Sequence, residues 1–550
     1  MATNASTGAP VEQTEPTLFV RKASGLVKGW SSTDGYRYSF FSTNMFLGIW
    51  GFLYAVFIPG GSVFWGVVIT TLFVLLEVVV YAGLISIMPR AGGDYVWQTR
   101  IFHSSVGFVL GAVGWWFILW LWIPIYGALC VNSFIKPILR ILGSPGAADW
   151  LSTKNGVFVT CLATIALASY LVAVGMRTYA RFQKWALWIG LGGLAVAGVI
   201  LLFTSKTGFI AAFNRESLQL YGAKNAYAAT IANSGEGMPS SMFSGTLWDT
   251  FKLLPIMAFW LLWPNWGATL YGEVRGAKDF RKNIYQMAAG LLSSAGIVIV
   301  FLLLVSKTMG FKFFEASANG YMGVLYGYVE STPHGGDYLS PVAMTAWIVN
   351  NAAFQVILIA AISLIVFGFW GTVFLSSTRM IFASAFDRIL PEAAARVSVS
   401  GVPYVALLLM VIPSIIVSAF YSYQPTFVQL TYDATIGIAV MFLGSGLAFM
   451  IMPWRRRSLW QSSALPKAKI FGIPWMAIVA AAYSAFMVFL LWLWFYDPTN
   501  TYGVGYKNKQ SMIFMGILYA TGIVIWIVAW AVRKRQGMEL EAVAKQIPAE

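Results

Sequence analysis

A proline, an asparagine and a glycine interrupt one of the most apolar stretches of the sequence. This stretch, PIMAFWLLWPNWGATLYGEVRG, covers residues 255–276, and its break reads WPNWG at residues 263–267. In hydrocarbon, a broken helix is tolerated only where protein or a water-filled cavity supplies partners for the freed backbone groups. The chemistry indicated is therefore the binding of a polar solute by backbone amides and carbonyls. A proline kink that binds nothing is the alternative.

A lone acidic residue, Glu77, stands near the middle of a second apolar stretch, FVLLEVVVYAGL. Ionised carboxylates are costly at that depth, and ionisable residues within membrane spans are commonly functional. Because burial favours the neutral form of a carboxyl, Glu77 could take up and release a proton. A packing role for a protonated or hydrogen-bonded Glu77 is equally open.

Residues typical of catalysis are sparse. The two histidines, His103 and His334, fall at the end of an apolar stretch and in a loop, and neither an HExxH nor a GxSxG element occurs. Cys130 and Cys161 have no CxxC spacing. The sequence thus disfavours an enzyme, and it predicts no catalytic residue, metal site or cofactor. An ion channel, which needs a filter loop or a charged ring, is disfavoured as well.

Long apolar stretches dominate the chain that must position these residues. Hydrophobic residues make up 58% and charged residues 10% of its 550 residues, unlike a soluble protein. Stretches of about 20 apolar residues cross about 30 Å of hydrocarbon, and about twelve of them predict an all-α polytopic membrane protein. The predicted spans are 40–58, 63–88, 106–135, 156–175, 185–203, 248–271, 284–306, 342–375, 403–420, 428–452, 473–496 and 512–532. The larger loops, 204–247 and 307–341, are expected to form caps outside the membrane.

Basic residues predict the orientation. Most of the 36 Lys and Arg residues flank the spans on one side, and basic flanks stay on the cytoplasmic side. We therefore expect both termini in the cytoplasm of a multi-pass plasma-membrane protein. This distribution accounts for the net charge of +15 without a nucleic acid. The expected organisation is a cytoplasmic N-terminal tail (1–36), a core of ten spans (37–455), spans 11 and 12 (456–533) and a cytoplasmic C-terminal tail (534–550).

The first span carries a second set of interrupting residues. It reads NMFLGIWGFLYAVFIPGG, with Asn44 near its inner end and with Gly48 and Gly51 around Ile49 and Trp50. Glycines also serve close helix packing, so this signal alone is weak. However, the first and sixth spans are five apart, and two five-span repeats would be inverted relative to each other. Interrupted helices at matching places of inverted halves indicate a midplane binding site of a secondary transporter.

Three motifs resemble those of the amino acid-polyamine-organocation superfamily of permeases. ISIMPRAGGDYVWQTRIF (85–102) is similar to the signature PRxGGxYxwxxR of that family. TLYGEVRGAKDFRKN (269–283) resembles its glutamate-plus-basic segment after the broken helix, and SSTRMIFASAFDRILPEAAARVSVSGVPYVA (376–406) resembles its stretch sRxxxaxaxdxxlPxxfaxvxxxgxP. The matches occur in the family's order and span most of residues 35–455.

The resemblance implies a five-plus-five inverted-repeat core with discontinuous helices 1 and 6, two extra helices, and alternating access. In the family, an amino acid binds the unwound first and sixth helices through its carboxylate and ammonium groups, as helix-end charges allow. The solute expected here is an amino acid or a related small amine or organocation. The implied solute-binding residues are Gly48, Ile49, Trp50, Gly51, Phe259, Trp260, Trp263, Asn265 and Gly267. The usual glycine-serine-glycine of the first break is absent, which favours a small or flat solute or aromatic gating.

Three acidic residues are candidates for ion coupling or gating. Glu77 could carry a proton, Asp433 could join an outer gate or lie exposed, and Glu273 could pair with the basic residues that follow it. Some members of the family use a lysine in the fifth span for proton coupling, and Gly190 occupies that place here. Proton symport is the first expectation. Sodium symport and exchange are the alternatives.

Other residues have supporting roles in this interpretation. Thr372, Ser376 and Ser377 could help to bind sodium, whereas the segment 90–100 should form a turn that braces or gates the core. The aromatic run GWWFILWLW (114–122) is more typical of packing or lipid contact, although the third span could also line a cavity. The lipid bilayer and the solute are the expected partners, and the oligomeric state is left open.

Overall fold

The fold is an all-α polytopic bundle, as the sequence predicts. The computed structural model describes residues 29–398, 401–424, 427–496 and 501–546. Within them, 10 helices are long and apolar enough to cross a membrane. These are Val63–Ile87, Ser104–Ile123, Lys154–Ala173, Met176–Phe203, Phe280–Met309, Ala352–Phe386, Tyr404–Tyr423, Asp433–Arg455, Trp475–Phe495 and Lys509–Arg535. They correspond to the predicted spans 2 to 5 and 7 to 12.

The two remaining spans, 1 and 6, are each split in two. Span 1 consists of the helices Ser32–Ser42 and Met45–Ala55. Span 6 consists of the α-helix Leu247–Leu261 and a 3₁₀ segment, Trp266–Glu273. The discontinuity predicted for both spans is therefore present, and with the ten helices above these two spans complete the set of twelve.

Span 3 is longer and less regular than the sequence indicates. Two single π-helical turns, Val113–Phe117 and Val131–Ile135, interrupt its α-helical parts. A π turn inserts a residue into an α-helix and often occurs at functional sites. The α-helical parts are Ser104–Ala112, Leu119–Cys130 and Lys136–Ile141.

The predicted bounds of span 8, residues 342–375, are wrong at both ends. A short helix, Pro341–Ala346, comes first, and the long helix Ala352–Phe386 begins only after Asn351. The Asn351 side chain accepts a hydrogen bond from the backbone N–H of Phe354 and so caps this helix. The apolar run continues across the break, which is why hydropathy alone joined the two helices.

Three further helices form a cap on the side of the bundle opposite to the termini. The cap consists of Lys206–Tyr221, Ala226–Ser234 and Phe311–Tyr326. The rings of Tyr227 and Phe313 stack at 4.3 Å between two of these helices. The loops expected to lie outside the membrane are thus largely helical. We call this side of the bundle the cap side and the opposite one the terminal side.

Short elements complete the fold. A two-stranded antiparallel hairpin, Lys469–Ile470 with Ile473–Pro474, connects spans 10 and 11. The short helices are Asp94–Ile101, Pro145–Trp150, Glu392–Ala395, Arg457–Ser462 and Leu540–Lys545. The last of these docks against span 3, where the Glu541 carboxylate accepts a hydrogen bond from the backbone N–H of Ser104 at 3.0 Å.

Close helix contacts occur where glycines remove the side chain. A Cβ atom on Gly290 of span 7 would lie 2.4 Å from the Ser39 hydroxyl in the first half of span 1. On Gly190 of span 5 it would lie 2.3 Å from Cγ1 of Ile365 in span 8. The contact at Gly190 therefore has no room for a lysine side chain.

The cap contains a buried acid, Glu315. It is 1% exposed, and its Oε1 has no hydrogen-bond partner among the described residues. Burial raises the pKa of Glu315 to about 8. A carboxyl whose pKa is higher in the folded than in the unfolded state contributes stability that is complete at low pH and is lost as the pH rises through the folded value.

We therefore expect the thermal stability of the protein to fall between pH 5 and 8 relative to a Glu315→Gln variant, which cannot ionise. The difference in melting temperature should grow with pH and level off above about pH 8. Thermal unfolding in detergent across this pH range measures it. Glu330→Gln is the control. Glu330 is exposed and, like Glu315, lies between spans 7 and 8, so its replacement should not make the melting temperature differ more at higher pH. If the difference in melting temperature between Glu315→Gln and the wild type were the same at every pH, the prediction would be wrong.

Candidate functional site

The break in span 1 lies at Thr43 and Asn44, one turn before the predicted position. The Ser42 hydroxyl donates to the carbonyl of Tyr38 at 2.6 Å, and the Thr43 hydroxyl donates to that of Ser39 at 2.9 Å. Hydroxyls bonded back to the preceding turn compete with the helix and bend it. Adjacent Ser and Thr were the signal for this break that the sequence interpretation missed.

The residues proposed for this break, Gly48 to Gly51, belong instead to the helix Met45–Ala55. Gly48 is buried, and its backbone N–H donates to the carbonyl of Asn44 at 3.2 Å. The side-chain positions of Ile49, Trp50 and Gly51 lie outside the described part of the structure. Gly48 is thus a point of contact next to the break rather than part of it.

The break in span 6 lies where the sequence places it. The α-helix ends at Leu261, and the chain resumes as a 3₁₀ segment at Trp266. The Trp266 indole N–H donates to the carbonyl of Thr372 at 3.1 Å, and the Ser376 hydroxyl donates to the carbonyl of Trp266 at 3.2 Å. The bond from Ser376 of span 8 thus satisfies a backbone carbonyl of the break, as the interior of a membrane requires.

Tryptophans of spans 3 and 6 pack together beside this break. The ring of Trp122 lies 5.5 Å from that of Trp266, 5.1 Å from that of Trp263 and 6.0 Å from that of Phe259. Tyr126, one turn further along span 3, packs its ring 6.0 Å from that of Trp122. We call these five side chains the aromatic cluster. Trp263 is bonded locally, because its N–H donates to the carbonyl of Phe259 at 2.6 Å.

Several buried polar atoms in and next to the aromatic cluster have no hydrogen-bond partner among the described residues. They are the indole nitrogens of Trp122 and Trp260, the Tyr126 hydroxyl, and the amide nitrogen and oxygen of Asn265. Native proteins rarely leave such groups unpaired, so each requires an explanation. These four side chains, all at or beside the break in span 6, carry four donor groups, and Asn265 also carries an amide acceptor.

The structure brings most of the predicted site residues together. Trp260 lies against Gly48, where an added Cβ would be 2.8 Å from the indole carbon Cδ2. Trp263 and Asn265 lie at the break itself, while Phe259 is only half-buried. Gly267 faces span 1, where its Cβ would meet the Tyr38 ring at 3.3 Å.

Trp122 and Tyr126 were missed by sequence reasoning. Aromatic runs are common at membrane interfaces and in packing, and the spacing of these two residues by one turn within span 3 was the available signal.

A small cavity lies between the first half of span 1 and the break in span 6. Its volume is about 10 Å³, and it lies beside Tyr38, Pro264 and Gly267. About this volume is the least that holds one water molecule, so an amino acid needs space other than this cavity.

Two buried ion pairs close the terminal side. Glu273 pairs with Arg379 of span 8 at 2.8 Å, rather than with the basic residues that follow it in the sequence. Arg100 pairs with Asp387 at 2.5 Å, and Asp387 also accepts a hydrogen bond from the Tyr95 hydroxyl at 2.8 Å. Charged partners so deeply buried depend on each other, since either one alone would be costly.

The turn predicted within residues 90–100 braces the segment after the break. Gly92 has a φ of +99°, a conformation that glycine adopts easily, and its N–H donates to the carbonyl of Thr269 at 2.9 Å. A Cβ on Gly93 would lie 2.9 Å from the backbone of Ala268. The residues before span 1 join the same layer, because the backbone N–H of Arg275 donates to the carbonyl of Trp30 at 3.0 Å.

A charged cluster closes the cap side. Asp337 pairs with Lys136 at 2.5 Å and with Arg140 at 2.9 Å, both at the end of span 3. Burial alone would raise the pKa of Asp337, but these two basic side chains outweigh it and lower this pKa. Asp433 is not part of the cluster. It is buried beside span 12, where the Ser511 hydroxyl donates to its carboxylate at 2.5 Å.

The two interrupted spans and the buried aromatic site beside their breaks define a polytopic membrane transporter. The sequence model described as amino acid permease matches residues 35–527. The chain therefore belongs to the amino acid permease family, within the amino acid-polyamine-organocation superfamily. The resemblance noted in the sequence is confirmed, and membership implies a transporter of amino acids rather than an enzyme. A search of curated proteins finds no match.

The contact between Gly48 and Trp260 leads to a test of the site. We expect Gly48→Ala to displace the Trp260 indole, because the new Cβ would overlap it, and to destabilise the protein by about 1–3 kcal/mol, as overpacking does. Thermal unfolding and amino acid uptake measure both effects. Gly296→Ala is the matched control, since its Cβ would meet nothing within 4 Å. If Gly48→Ala changed neither stability nor uptake, the close contact between position 48 and the Trp260 indole would not be needed for either.

The pair of Arg100 and Asp387 leads to a second prediction. Asp387→Asn should destabilise the protein by about 3–5 kcal/mol, because it leaves the Arg100 guanidinium buried without a counter-charge. Thermal unfolding measures the loss, and adding Arg100→Gln should recover part of it. Lys282→Gln removes an exposed pair with Asp279 and should cost no more than about 1 kcal/mol. If Asp387→Asn and Lys282→Gln lowered the stability equally, burial of the pair between Arg100 and Asp387 would not make it more important than an exposed pair.

Proposed function

We propose that the protein moves an amino acid or a related small amine across the plasma membrane by alternating access, with both termini in the cytoplasm. The solute site lies beside the breaks of spans 1 and 6. The observation that carries this proposal is that buried polar atoms of Trp122, Tyr126, Trp260 and Asn265, at or beside the break in span 6, have no hydrogen-bond partner among the described residues.

The unpaired atoms suit the two charged ends of an amino acid. Indole, hydroxyl and amide donors can bind a carboxylate, while the Asn265 amide oxygen and the faces of the indoles can receive an ammonium group. Mostly aromatic walls favour a neutral side chain or a flat one over a charged side chain. We therefore expect a solute such as a small or aromatic neutral amino acid.

Charged layers at both ends provide the gates of the proposed cycle. The terminal-side gate consists of the pairs Glu273–Arg379 and Arg100–Asp387, and the cap-side gate is centred on Asp337. In alternating access, one gate opens while the other stays closed, and an inverted repeat of spans 1 to 5 and 6 to 10 would make the two motions equivalent. Paired charges can separate into water at either face, which suits them to this role.

The proposed coupling ion is the proton, with Glu77 as its carrier. Glu77 is fully buried in span 2, and both of its carboxyl oxygens lack a partner among the described residues. Sodium is the second candidate, and exchange without an ion is the third. The hydroxyls of Thr372 and Ser377 donate to the carbonyls of Phe369 and Val373 in their own helix, which gives less support to sodium than Glu77 gives to the proton.

Uptake into proteoliposomes tests the proposal. The wild-type protein should accumulate at least one amino acid from a panel of amino acids, polyamines and small organic cations when an inward proton gradient is imposed. Asn265→Ala should reduce uptake about tenfold or more, because a lost buried hydrogen bond to a charged group is worth about 1.5–3 kcal/mol. Accumulation driven by a sodium gradient alone would replace the proton by sodium.

Tyr126→Phe is the finer variant, since it removes only a hydroxyl and keeps the ring that packs on Phe369 at 4.6 Å. We expect a higher KM with unchanged thermal stability. Thr521→Val, at an exposed position of span 12, is a control hydroxyl that should leave uptake unchanged. If no compound of the panel is taken up under any gradient, the proposed function is wrong.

A further inference from the structure

Asp94 holds an unusual position in the terminal half of the bundle. It begins the short helix Asp94–Ile101 and is fully buried. Its carboxylate accepts three hydrogen bonds, from the Tyr81 hydroxyl at 2.5 Å, the Ser445 hydroxyl at 2.6 Å and the Trp115 indole N–H at 2.8 Å. Three donors directed at one carboxyl group stabilise its ionised form.

Glu77 is near enough to this carboxylate to interact with it electrostatically. It precedes Tyr81 by one helical turn on span 2, so the two side chains share a face, and the Tyr81 hydroxyl reaches Asp94 directly. Glu77 and Asp94 are each 0% exposed. In contrast to Asp94, Glu77 has no hydrogen-bond partner for either oxygen among the described residues.

Among the described residues, no positively charged group interacts with Glu77, and the bases near Asp94 are bound elsewhere. The titratable groups that interact with Glu77 are Asp94, Tyr81 and, from span 11, Tyr483. Span 10 contributes the Ser445 hydroxyl and span 3 the Trp115 indole. On the helix that carries Asp94, the base Arg100 is bound to Asp387.

Two ionised carboxylates cannot share such a place, because each would be desolvated and each would repel the other. Burial disfavours a charge on either acid, but the three donors make Asp94 the better place for one negative charge. Glu77 has no donor among the described residues, so it is the carboxyl group that must bind a proton.

We propose that Glu77 and Asp94 form a single proton-binding site, and that Trp115 connects this site to the solute site. The proton comes from the aqueous phase and bonds to a carboxylate oxygen of Glu77, and it returns to water when the site opens. This inference deepens the proposed function, and its effect on transport rests on that function.

The connection runs through one indole. Trp115 donates its N–H to Asp94, and its ring packs edge-on against that of Trp266 at 4.7 Å. Trp266 belongs to the 3₁₀ segment after the break and stacks on Trp122. Trp115 itself lies in the π turn Val113–Phe117. A change of charge at Glu77 that alters the bonds of Asp94 therefore shifts a ring that touches the solute site.

The test follows the proton on Glu77 without requiring transport. In wild-type protein, infrared difference spectra during a pH titration should contain the C=O stretching band of a buried protonated carboxyl group, and Glu77→Gln should remove this band. Glu315→Gln is the matched control, because it removes a buried carboxyl group of the cap and should leave the Glu77 band in place. A Glu77 band absent from the wild type, or retained in Glu77→Gln, would overturn the proton site.

Asp94→Asn tests whether the two acids act together. With the neighbouring negative charge gone, Glu77 should ionise more readily, so the midpoint of its band should move to lower pH by about one unit or more. An unchanged midpoint would show that the two carboxyl groups are independent, and it would overturn the single site.

Trp115→Phe tests the connection, since it keeps an aromatic ring, although a smaller one, and loses the indole N–H that binds Asp94. An equimolar mixture of the twenty standard L-amino acids should shift the Glu77 midpoint in the wild type, because linkage between two sites is reciprocal, and should shift it less in Trp115→Phe. Equal shifts in both proteins would overturn the role of Trp115.

Failure of the inference and failure of the proposed function have different signatures. A Glu77 band without uptake of any compound of the panel would support the proton site but would contradict the proposed function. Uptake in which the midpoint of the band never responds to amino acids would reject the connection alone.

Discussion

Backbone groups inside a bilayer need partners, and this requirement organises the centre of the molecule. The break in span 6 gives up helical hydrogen bonds, and other parts of the chain replace them. The Ser376 hydroxyl of span 8 donates to the carbonyl of Trp266, and the N–H of Gly92, in the turn after span 2, donates to the carbonyl of Thr269. The break thereby joins regions that are far apart in the sequence. Any opening of the site must exchange these bonds for others, which limits how the spans can move.

Buried charge imposes a second constraint, and it is met in two ways. At the ends of the bundle, acids are paired with bases, as Glu273 is with Arg379. Between spans 2, 3 and 10, Asp94 has only neutral donors, and Glu77 has none among the described residues. Ion pairs can come apart into water at a face of the membrane, whereas an acid without a base can be relieved only by a proton. The two arrangements therefore suit gating and coupling, respectively.

The sequence predicts the architecture well, because the length of apolar runs and the side chains that break helices are local properties. The interruption of span 6 at WPNWG was read from proline and glycine. The interruption of span 1 was expected at Gly48 to Gly51 but occurs at Thr43 and Asn44, since hydroxyls bonded to the preceding turn leave a weaker pattern than glycine does.

Contacts between distant segments could not be predicted. Glu273 has several bases nearby in the sequence, yet its partner is Arg379. Asp94 looks like one residue of a turn motif until Tyr81, Trp115 and Ser445 are seen around it. The sequence shows a glycine at position 190, but only the structure shows that Ile365 packs against it and leaves no room for a longer side chain.

The π turns of span 3 have a consequence for how relatives of this chain are compared. Each such turn contains one residue more than an α-helix would use, so every side chain beyond it is rotated to another face. The turn at Val113–Phe117 precedes Trp122 and Tyr126 and sets the direction in which both rings point. A relative that lacks one residue in this turn would direct different side chains of span 3 toward the break in span 6, even if all its aromatic residues were the same. Insertion or deletion of one residue in this turn would thus change the side chains that lie beside the break in span 6.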